Sequence, residues 1–333
     1  MKKITALLLA LMMLAGVLAG CGKPQDAGKA GKLKVVTTIF PEYDWVRAIL
    51  GDKAENAEVT MLLDNGVDLH SYQPTADDIV KISDCDLFVY VGGESDGWVE
   101  NALKNAANRN MKVINLLEVL GDSVKTEETV EGMQEDGHDH GHSHDEHDEG
   151  HDHGEEKDEH VWLSLKNAQA LCVTLADALC AIDPDNKNTY IANAAAYRDK
   201  LAALDADYKA AVEGATHKTV LFGDRFPFRY LVDDYGLRYY AAFAGCSAET
   251  EASFETVSFL AKKVDDLGLP CVLTIEGAQH RIAETIVQNT AGKNQKVLTM
   301  DSMQSTTSKD VANGTTYLSV MEKNLSALKE ALG

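Results

Sequence analysis

Seven of the eleven histidines in this 333-residue chain, His138, His140, His142, His144, His147, His151 and His153, fall within one short stretch and alternate with Asp, Glu and Gly. Neutral imidazole is the commonest protein ligand for zinc and other late divalent ions, so the stretch reads as metal-binding. Its mixed spacing fixes no register and singles out no one ligand, whereas an inert acidic spacer would have no need of so much histidine. Four histidines stand outside it: His70, His160, His217 and His280. His70 lies in Asp68-Leu69-His70-Ser71-Tyr72-Gln73-Pro74, just after a β-branched run ending at Leu63, and open parallel sheets bind ligands beyond the carboxyl ends of their strands. His160 closes the acidic stretch and opens Val161-Trp162-Leu163-Ser164 ahead of a helical pattern, which puts it on ordered structure. Each of these two suits a ligand, and each taken alone suits a structural histidine as well. His280, one turn into a helical pattern, is an outside candidate, and His217 precedes a strand, at its wrong end.

The elements that must hold these groups follow from periodicity. Short β-branched runs alternate with helical patterns, the signature of parallel sheets flanked by helices. Residues 34–39, 57–63, 86–91 and 111–115 read as four strands of a first lobe, and 219–222, 237–243, 271–276 and 296–299 as four of a second. The expected fold class is α/β: two lobes, each with its own core and a mainly parallel four-stranded sheet, joined by one long rigid helix. Ala168, Leu171, Cys172, Leu175 and Leu179 mark one face of a helix that stops near Asp183-Pro184, because proline cannot continue it. The linker spans about 184–214, with Tyr190, Ala194, Tyr197, Leu201, Leu204 and Tyr208 at alternating steps of four and three. About thirty residues at 1.5 Å each give a rod of about 45 Å, enough to run along both lobes; the alternative is a surface helix of the second lobe alone. Over 131–159 apolar periodicity is lost, and that composition cannot bury enough surface to fold alone, so a disordered loop inserted in the first lobe is expected.

The N-terminus has Lys2 and Lys3, an apolar stretch over 4–18, and Leu18-Ala19-Gly20-Cys21. This reads as a lipoprotein signal over 1–20, with cleavage before Cys21 and acylation of its thiol. About fifteen apolar residues fall short of the roughly 20 that a spanning helix needs. A flexible tether over 21–32 would then lead to an N-terminal lobe over 33–183 and, after the linker, a C-terminal lobe over 215–333, all extracytoplasmic and held at the bilayer by lipid. No later segment reads as long and apolar enough to span a bilayer. The formal charge of −22 argues against nucleic acid as a partner, since phosphate backbones reward clustered Lys and Arg. Of the other cysteines, Cys85, Cys172, Cys180, Cys246 and Cys271, no pair has Cys-x-x-Cys spacing, so buried free thiols are the default reading, with a Cys246–Cys271 bridge as the alternative.

The Cys21 lipobox, His70-Ser71-Tyr72-Gln73-Pro74, the His-rich insertion, Glu159-His160-Val161-Trp162-Leu163-Ser164 and Thr316-Tyr317-Leu318-Ser319-Val320-Met321-Glu322-Lys323-Asn324-Leu325 together resemble the zinc and manganese solute-binding proteins of ABC importers, from Leu33 to the C-terminus. The resemblance implies two α/β lobes on one long helix, a metal held in the cleft by histidines and a carboxylate, no catalysis, and a monomer that hands its ion to an ABC permease. It makes His70 the first ligand and His160 the second. The third departs from the pattern: counting back from Tyr235-Gly236 reaches Arg225, which has no lone pair to offer. Asp224 next to it, a water or a loop histidine could fill the position, since zinc accepts three protein ligands and an exchangeable one; Arg225 could instead pair with a carboxylate. For the second lobe's carboxylate Asp301 is preferred, with Glu276 as competitor, and Asp301 equally suits a turn or a helix N-cap. Two imidazoles and the His-rich loop favour Zn2+ over Mn2+, which prefers oxygen ligands. A zinc hydrolase would also use two His, a carboxylate and an open position, but the chain lacks His-Glu-x-x-His and Gly-x-Ser-x-Gly. A surface adhesin or metal buffer is the third reading.

Overall fold

The computed structural model describes residues 31–134, 156–247, 251–277 and 279–333. The expected signal segment, Cys21, nearly all of the tether and the seven loop histidines from His138 to His153 lie outside the described residues.

The first sheet is built from β1 (Leu33–Thr37), β2 (Ala57–Met61), β3 (Leu87–Tyr90) and β4 (Lys112–Asn115), and the second from β5 (Thr219–Phe226), β6 (Arg238–Ala244), β7 (Cys271–Thr274) and β8 (Lys296–Thr299). Both are wholly parallel, and both have the same order, β2-β1-β3-β4 and β6-β5-β7-β8. All eight strands stand where their β-branched runs put them. The largest departure is β5, which continues past Phe222 to Phe226. Its register slips between Phe222↔Ala241 and Arg225↔Phe243, so one extra residue bulges at Gly223-Asp224 and re-aims the side chains that follow. A β-carbon on Gly223 would lie 2.5 Å from the Ala283 backbone, which explains why glycine occupies the bulge.

Eleven α-helices connect these strands among the described residues: α1 (Phe40–Leu50), α2 (Ala76–Asp84), α3 (Val99–Lys104), α4 (Leu116–Leu120), α5 (Leu165–Ile182), α6 (Lys187–Gly214), α7 (Arg229–Tyr235), α8 (Phe254–Leu267), α9 (Arg281–Asn289), α10 (Ser308–Ala312) and α11 (Tyr317–Leu332). Helix α5 starts where Ser164 Oγ accepts the Asn167 N–H, a side-chain N-cap. By length and composition α5 could cross a membrane, which corrects the expectation that no such segment exists. Here it is a core helix, with Leu171 and Leu175 fully buried.

The linker is α6, preceded by a 3-10 turn over Pro184–Asn186. Its 28 residues span about 42 Å. The expected stripe is the buried one: Tyr190, Ala194, Tyr197, Leu201, Leu204 and Tyr208, extended by Val212. Near its start Asn193 Nδ2 donates to the Ile49 carbonyl (3.0 Å) and the Tyr197 hydroxyl to Asp44 (3.2 Å), both on α1. Further along, the Tyr208 hydroxyl donates to the Met321 carbonyl of α11 (2.7 Å) and Asp205 accepts from Tyr235 of α7 (2.8 Å). The helix therefore ties both lobes, and the surface-helix alternative is excluded.

The expectation of a separate core for each lobe needs correction. One apolar cluster runs from Trp45 and Phe88 of the first lobe through Trp162, Leu171, Tyr190 and Tyr208 to Phe222, Tyr317 and Met321 of the second. Only the opposite face of the second sheet has its own cluster, around Leu221, Phe243, Leu260, Val272 and Ile286. The ends of the His-rich segment are also ordered, contrary to a loop disordered over all of 131–159 and inserted in the first lobe. Lys157 bridges antiparallel to Thr126, Met133 is buried, and the Gln134 N–H donates to the Ala242 carbonyl of β6 (2.9 Å). The stretch leading into the segment thus lies against the second lobe.

Replacing Tyr208 by Phe removes the hydroxyl's hydrogen bond to the Met321 carbonyl, at a cost of about 0.5–1.5 kcal/mol. Urea unfolding should show this loss in a single transition for both lobes; two transitions, only one of them shifted, would contradict a shared core.

Candidate metal centre

His70 sits in a 3-10 turn over Leu69–Ser71 just beyond the end of β2, where Asp68 caps the turn by accepting the His70 N–H (3.0 Å). His160 precedes the 3-10 turn over Val161–Leu163 and is completely buried. Behind it Trp162 donates its indole N–H to the Ser302 carbonyl (2.8 Å) and accepts on its own carbonyl from the Tyr317 hydroxyl (2.7 Å). The His160 main chain is thereby fixed to the second lobe.

The two imidazoles meet through Nε2 atoms 3.3 Å apart. Each is held from its other nitrogen. Asp158 Oδ1 accepts both the His160 N–H and its Nδ1–H, each at 2.9 Å. His70 Nδ1 contacts Ser95 Oγ at 2.9 Å and Glu159 Oε2 at 3.5 Å, and Glu159 Oε1 accepts from the Ser95 N–H (2.9 Å). These oxygens fix both rings from their Nδ1 sides and turn both Nε2 atoms toward one point, the arrangement in which an outer shell orients metal-binding histidines. Two nitrogens bound tetrahedrally to one zinc at about 2.05 Å lie about 3.3 Å apart, so the observed spacing matches that of a zinc pair.

Electrostatics agree with geometry. Burial first, and charge on His160 second, lower the His70 pKa to about 4. For His160 burial acts downward, but the Asp158 carboxylate outweighs it and the pKa is raised. At neutral pH the His70 ring is free to bind a cation.

Among the described residues a third ligating group joins this pair: Cys246, with its sulfur and one nitrogen of each ring all within 4.8 Å of one another. Cys246 is half-buried just past the end of β6, and its N–H donates to Glu127 Oε1 (2.9 Å). All five described cysteines are free, so the Cys246–Cys271 bridge is not present, and the buried-thiol reading fails for Cys246. The positional argument that picks out His70 would have picked out Cys246 as well, because both follow the second strand of their lobe.

The carboxylate candidates lie elsewhere. Asp224 Oδ2 accepts from the Thr274 hydroxyl (2.6 Å) and the Ile275 N–H (3.3 Å). Glu276 accepts from the Ser302 N–H (2.6 Å), the Ser302 hydroxyl (2.8 Å) and the Gln304 N–H (3.1 Å). Both line a cleft of about 750 Å³ with Asp68, Arg225 and His280, where His280 Nδ1 contacts the Thr274 hydroxyl (3.2 Å). Asp301 closes a turn by accepting the Met303 N–H (2.8 Å); burial and the neighbouring Glu276 charge raise its pKa to about 6. None of these three carboxylates joins the group of ligating atoms around the imidazoles. Half-buried His217 sits beside the C-terminus, its N–H donating to the Leu332 carbonyl (2.9 Å). Arg225 takes the role of a carboxylate partner: its Nη2 donates to Asp68 Oδ2 at 2.7 Å, and its Nη1 reaches the Ser247 carbonyl at 3.4 Å. It thus ties the His70 loop to the Cys246 loop across the lobes.

Burial alone would raise the Asp68 pKa, but Arg225 overrides it and holds the carboxyl below its ordinary value. A depressed carboxyl stabilises the fold above its unfolded pKa and loses that contribution as pH falls through the folded one. Arg225→Met should therefore destabilise the protein by about 1–3 kcal/mol at pH 7, a loss that shrinks as pH falls below the ordinary carboxyl range and Asp68 takes up its proton. Denaturant titrations of both proteins at pH 7 and pH 3.5 test this; an equal loss at both would mean that the ion pair is not the cause.

Residues 35–331 match the family described as ZnuA, zinc-uptake complex component A, periplasmic. The chain is 35% identical over 331 residues to the zinc-binding lipoprotein AdcA of Streptococcus pneumoniae (strain TIGR4), covering 99% of this chain and 61% of that protein. It thus spans about three-fifths of the length of such relatives. With the high-affinity zinc uptake system protein ZnuA of Bacillus subtilis it shares 30% identity over 320 residues, covering 95% of this chain and 94% of the relative. The crystal structure of the Zn(II)-bound ZnuA-like domain of S. pneumoniae AdcA superposes with a TM-score of 0.69 at 32% identity, over 91% of this chain and 99% of that one. The metal-dependent lipoprotein YcdH from B. subtilis gives 0.70 at 27%, over 90% and 99%. A match running from the first strand into the last helix, together with a relative aligned over nearly its whole length, makes this chain a member of the ZnuA family.

Proposed function

We propose that the protein is an extracytoplasmic receptor that captures Zn2+ between its lobes with His70 and His160 and delivers it to an ABC permease. The observation that carries this reading is the pair of Nε2 atoms 3.3 Å apart, each ring tied by its Nδ1 to an acceptor. Relatives named as zinc-binding and zinc-uptake proteins support it. The lipoprotein name of AdcA supports the anchoring role given to Cys21, with residues 1–20 as the signal that directs it; the proposed receptor acts as a monomer. The site is a receptor's rather than an enzyme's: its carboxylates at Asp158 and Glu159 are spent orienting imidazoles. Nitrogen donors favour zinc over manganese.

The ion is cargo, so the site must release it as well as bind it. His70 and His160 are braced against both lobes, and a permease that pulls one lobe's contacts out of register would separate the Nε2 pair. The seven histidines of the acidic segment act as an antenna: the segment leaves the described structure at Gln134, bonded to β6, and re-enters at Glu156, whose carbonyl accepts the Glu127 N–H (2.9 Å). Glu127 also holds the Cys246 N–H, so the root at Glu156 lies close to the site.

Metal counting and competitive zinc titration on the full chain, on a chain lacking residues 135–155, and on His70→Ala/His160→Ala test the division. The deletion should lower the number of bound ions and keep one tight site. The double substitution should weaken that site by more than about 100-fold, since losing outer-shell partners alone costs about 10–100-fold. A tight site that vanishes with the segment and survives the double substitution would refute capture between the lobes.

A further inference from the structure

We propose that the Cys246 thiolate is the third protein ligand of the captured ion, making a His2Cys site. This rests on the zinc-capture reading above. The sulfur and a nitrogen of each imidazole already lie within 4.8 Å of one another. In a tetrahedral site with Zn–N of about 2.05 Å and Zn–S of about 2.3 Å, sulfur and nitrogen are about 3.6 Å apart. An inward movement on the order of 1 Å therefore completes the coordination, within reach of a half-buried side chain on the turn after β6. As the Zn–S bond forms, the thiol proton passes to solvent and the sulfur binds as thiolate.

Three features of the chain bring this sulfur to the imidazoles. Gly245 has no β-carbon, and one placed there would lie 3.0 Å from His160 Cε1, so a side chain at 245 would crowd the ring next to which Cys246 stands. The Cys246 N–H is held by Glu127, on the strand-like stretch that also pairs with residues 156–158 ahead of His160. The Ser247 carbonyl is held by Arg225, whose other end grips the Asp68 that caps the His70 turn. Cys246 is thus clamped from both sides to the two histidine loops.

The alternatives are otherwise engaged. Arg225 cannot coordinate and is ion-paired. Asp224 accepts from Thr274, Ile275 and its neighbour's N–H, and Glu276 from Ser302 and Gln304. Cys246 also differs from Cys85, Cys172, Cys180 and Cys271, all of them buried in the apolar interior. The thiolate adds a specificity-determining element that two imidazoles alone would not supply, because soft sulfur discriminates strongly against manganese and magnesium.

The test uses the full chain with Co2+ as spectroscopic probe and Zn2+ for affinity, comparing wild type, Cys246→Ala and Cys246→His. A thiolate ligand gives a near-ultraviolet sulfur-to-cobalt charge-transfer band, and the difference between wild type and Cys246→Ala isolates this one sulfur from the other cysteines. The expected result is a band in wild type that both variants lack, a zinc affinity about 100-fold weaker in Cys246→Ala, and substantial recovery in Cys246→His, which restores a ligand without sulfur. Wild-type protein that binds zinc tightly through His70 and His160, shows no band and loses no affinity in Cys246→Ala would overturn the thiolate ligand and leave the receptor reading intact. Wild-type protein with no tight zinc site would overturn both.

Discussion

The structure is organised around two imidazoles whose Nε2 atoms stand 3.3 Å apart, each ring tied at Nδ1 to an oxygen on its far side. The rest of the molecule imposes that spacing. Asp158 fixes one ring by bonding both its backbone and its side chain, and Ser95 with Glu159 fixes the other. Those partners are held in turn: Ser95 follows β3, and the Asp158 N–H donates to the Lys125 carbonyl (2.8 Å). Rings held in this way are preorganised, so under the zinc-capture proposal little of the binding free energy would go into reorganising these two ligands.

Stiffness comes from the continuity of the core. Trp162, two residues after His160, donates to Ser302 of the second lobe and accepts from Tyr317 on the last helix. Tyr317 stacks edge-on against Trp45 of the first lobe, ring centroids 5.2 Å apart. The linker helix closes the same circuit from outside through Tyr197 to Asp44 and Tyr208 to Met321. Two lobes that share one apolar interior do not open like a hinge around an exposed linker. Movement at the cleft is therefore a matter of loops rather than lobes, and the β5 bulge is the place where the second sheet is least regular.

Much of this was legible in the sequence, for identifiable reasons. The β-branched runs located every strand, most plainly the inner strands β3 and β7, which are buried on both faces. The four-three spacing located the linker because each of those side chains is buried. Adding chain position to residue type, a histidine after a strand end and a histidine at the exit of an acidic segment, located the imidazole pair. What failed was inference about regions where periodicity carries no signal. The extension of β5 beyond Phe222 was hidden by Gly223-Asp224-Arg225, which looks like a loop and is a bulge. The shared core was hidden because a hydrophobic pattern reports that a face is buried and not against which partner. Cys246 was hidden by chemistry, since a lone thiol without a Cys-x-x-Cys partner reads as inert until tertiary structure puts it beside two imidazoles.

The arginine at the position of an expected ligand makes sense as charge arithmetic. A divalent ion held by two neutral imidazoles and one thiolate carries a net charge of about +1, the same as one held by three imidazoles and a carboxylate. Beneath it lie the carboxyls of Asp158 and Glu159, almost without exposure. A free cation at Arg225 would repel the incoming ion, but Asp68 accepts its guanidinium at 2.7 Å and cancels most of its field. Asp68 is the residue that caps the His70 turn, so the pair converts a potential repulsion into a strut between the loops bearing His70 and Cys246. The substitution of a basic residue for a ligand is therefore compatible with metal capture here because the ion pair is local, nearly neutral, and spends its hydrogen bonds on holding the remaining ligands in place.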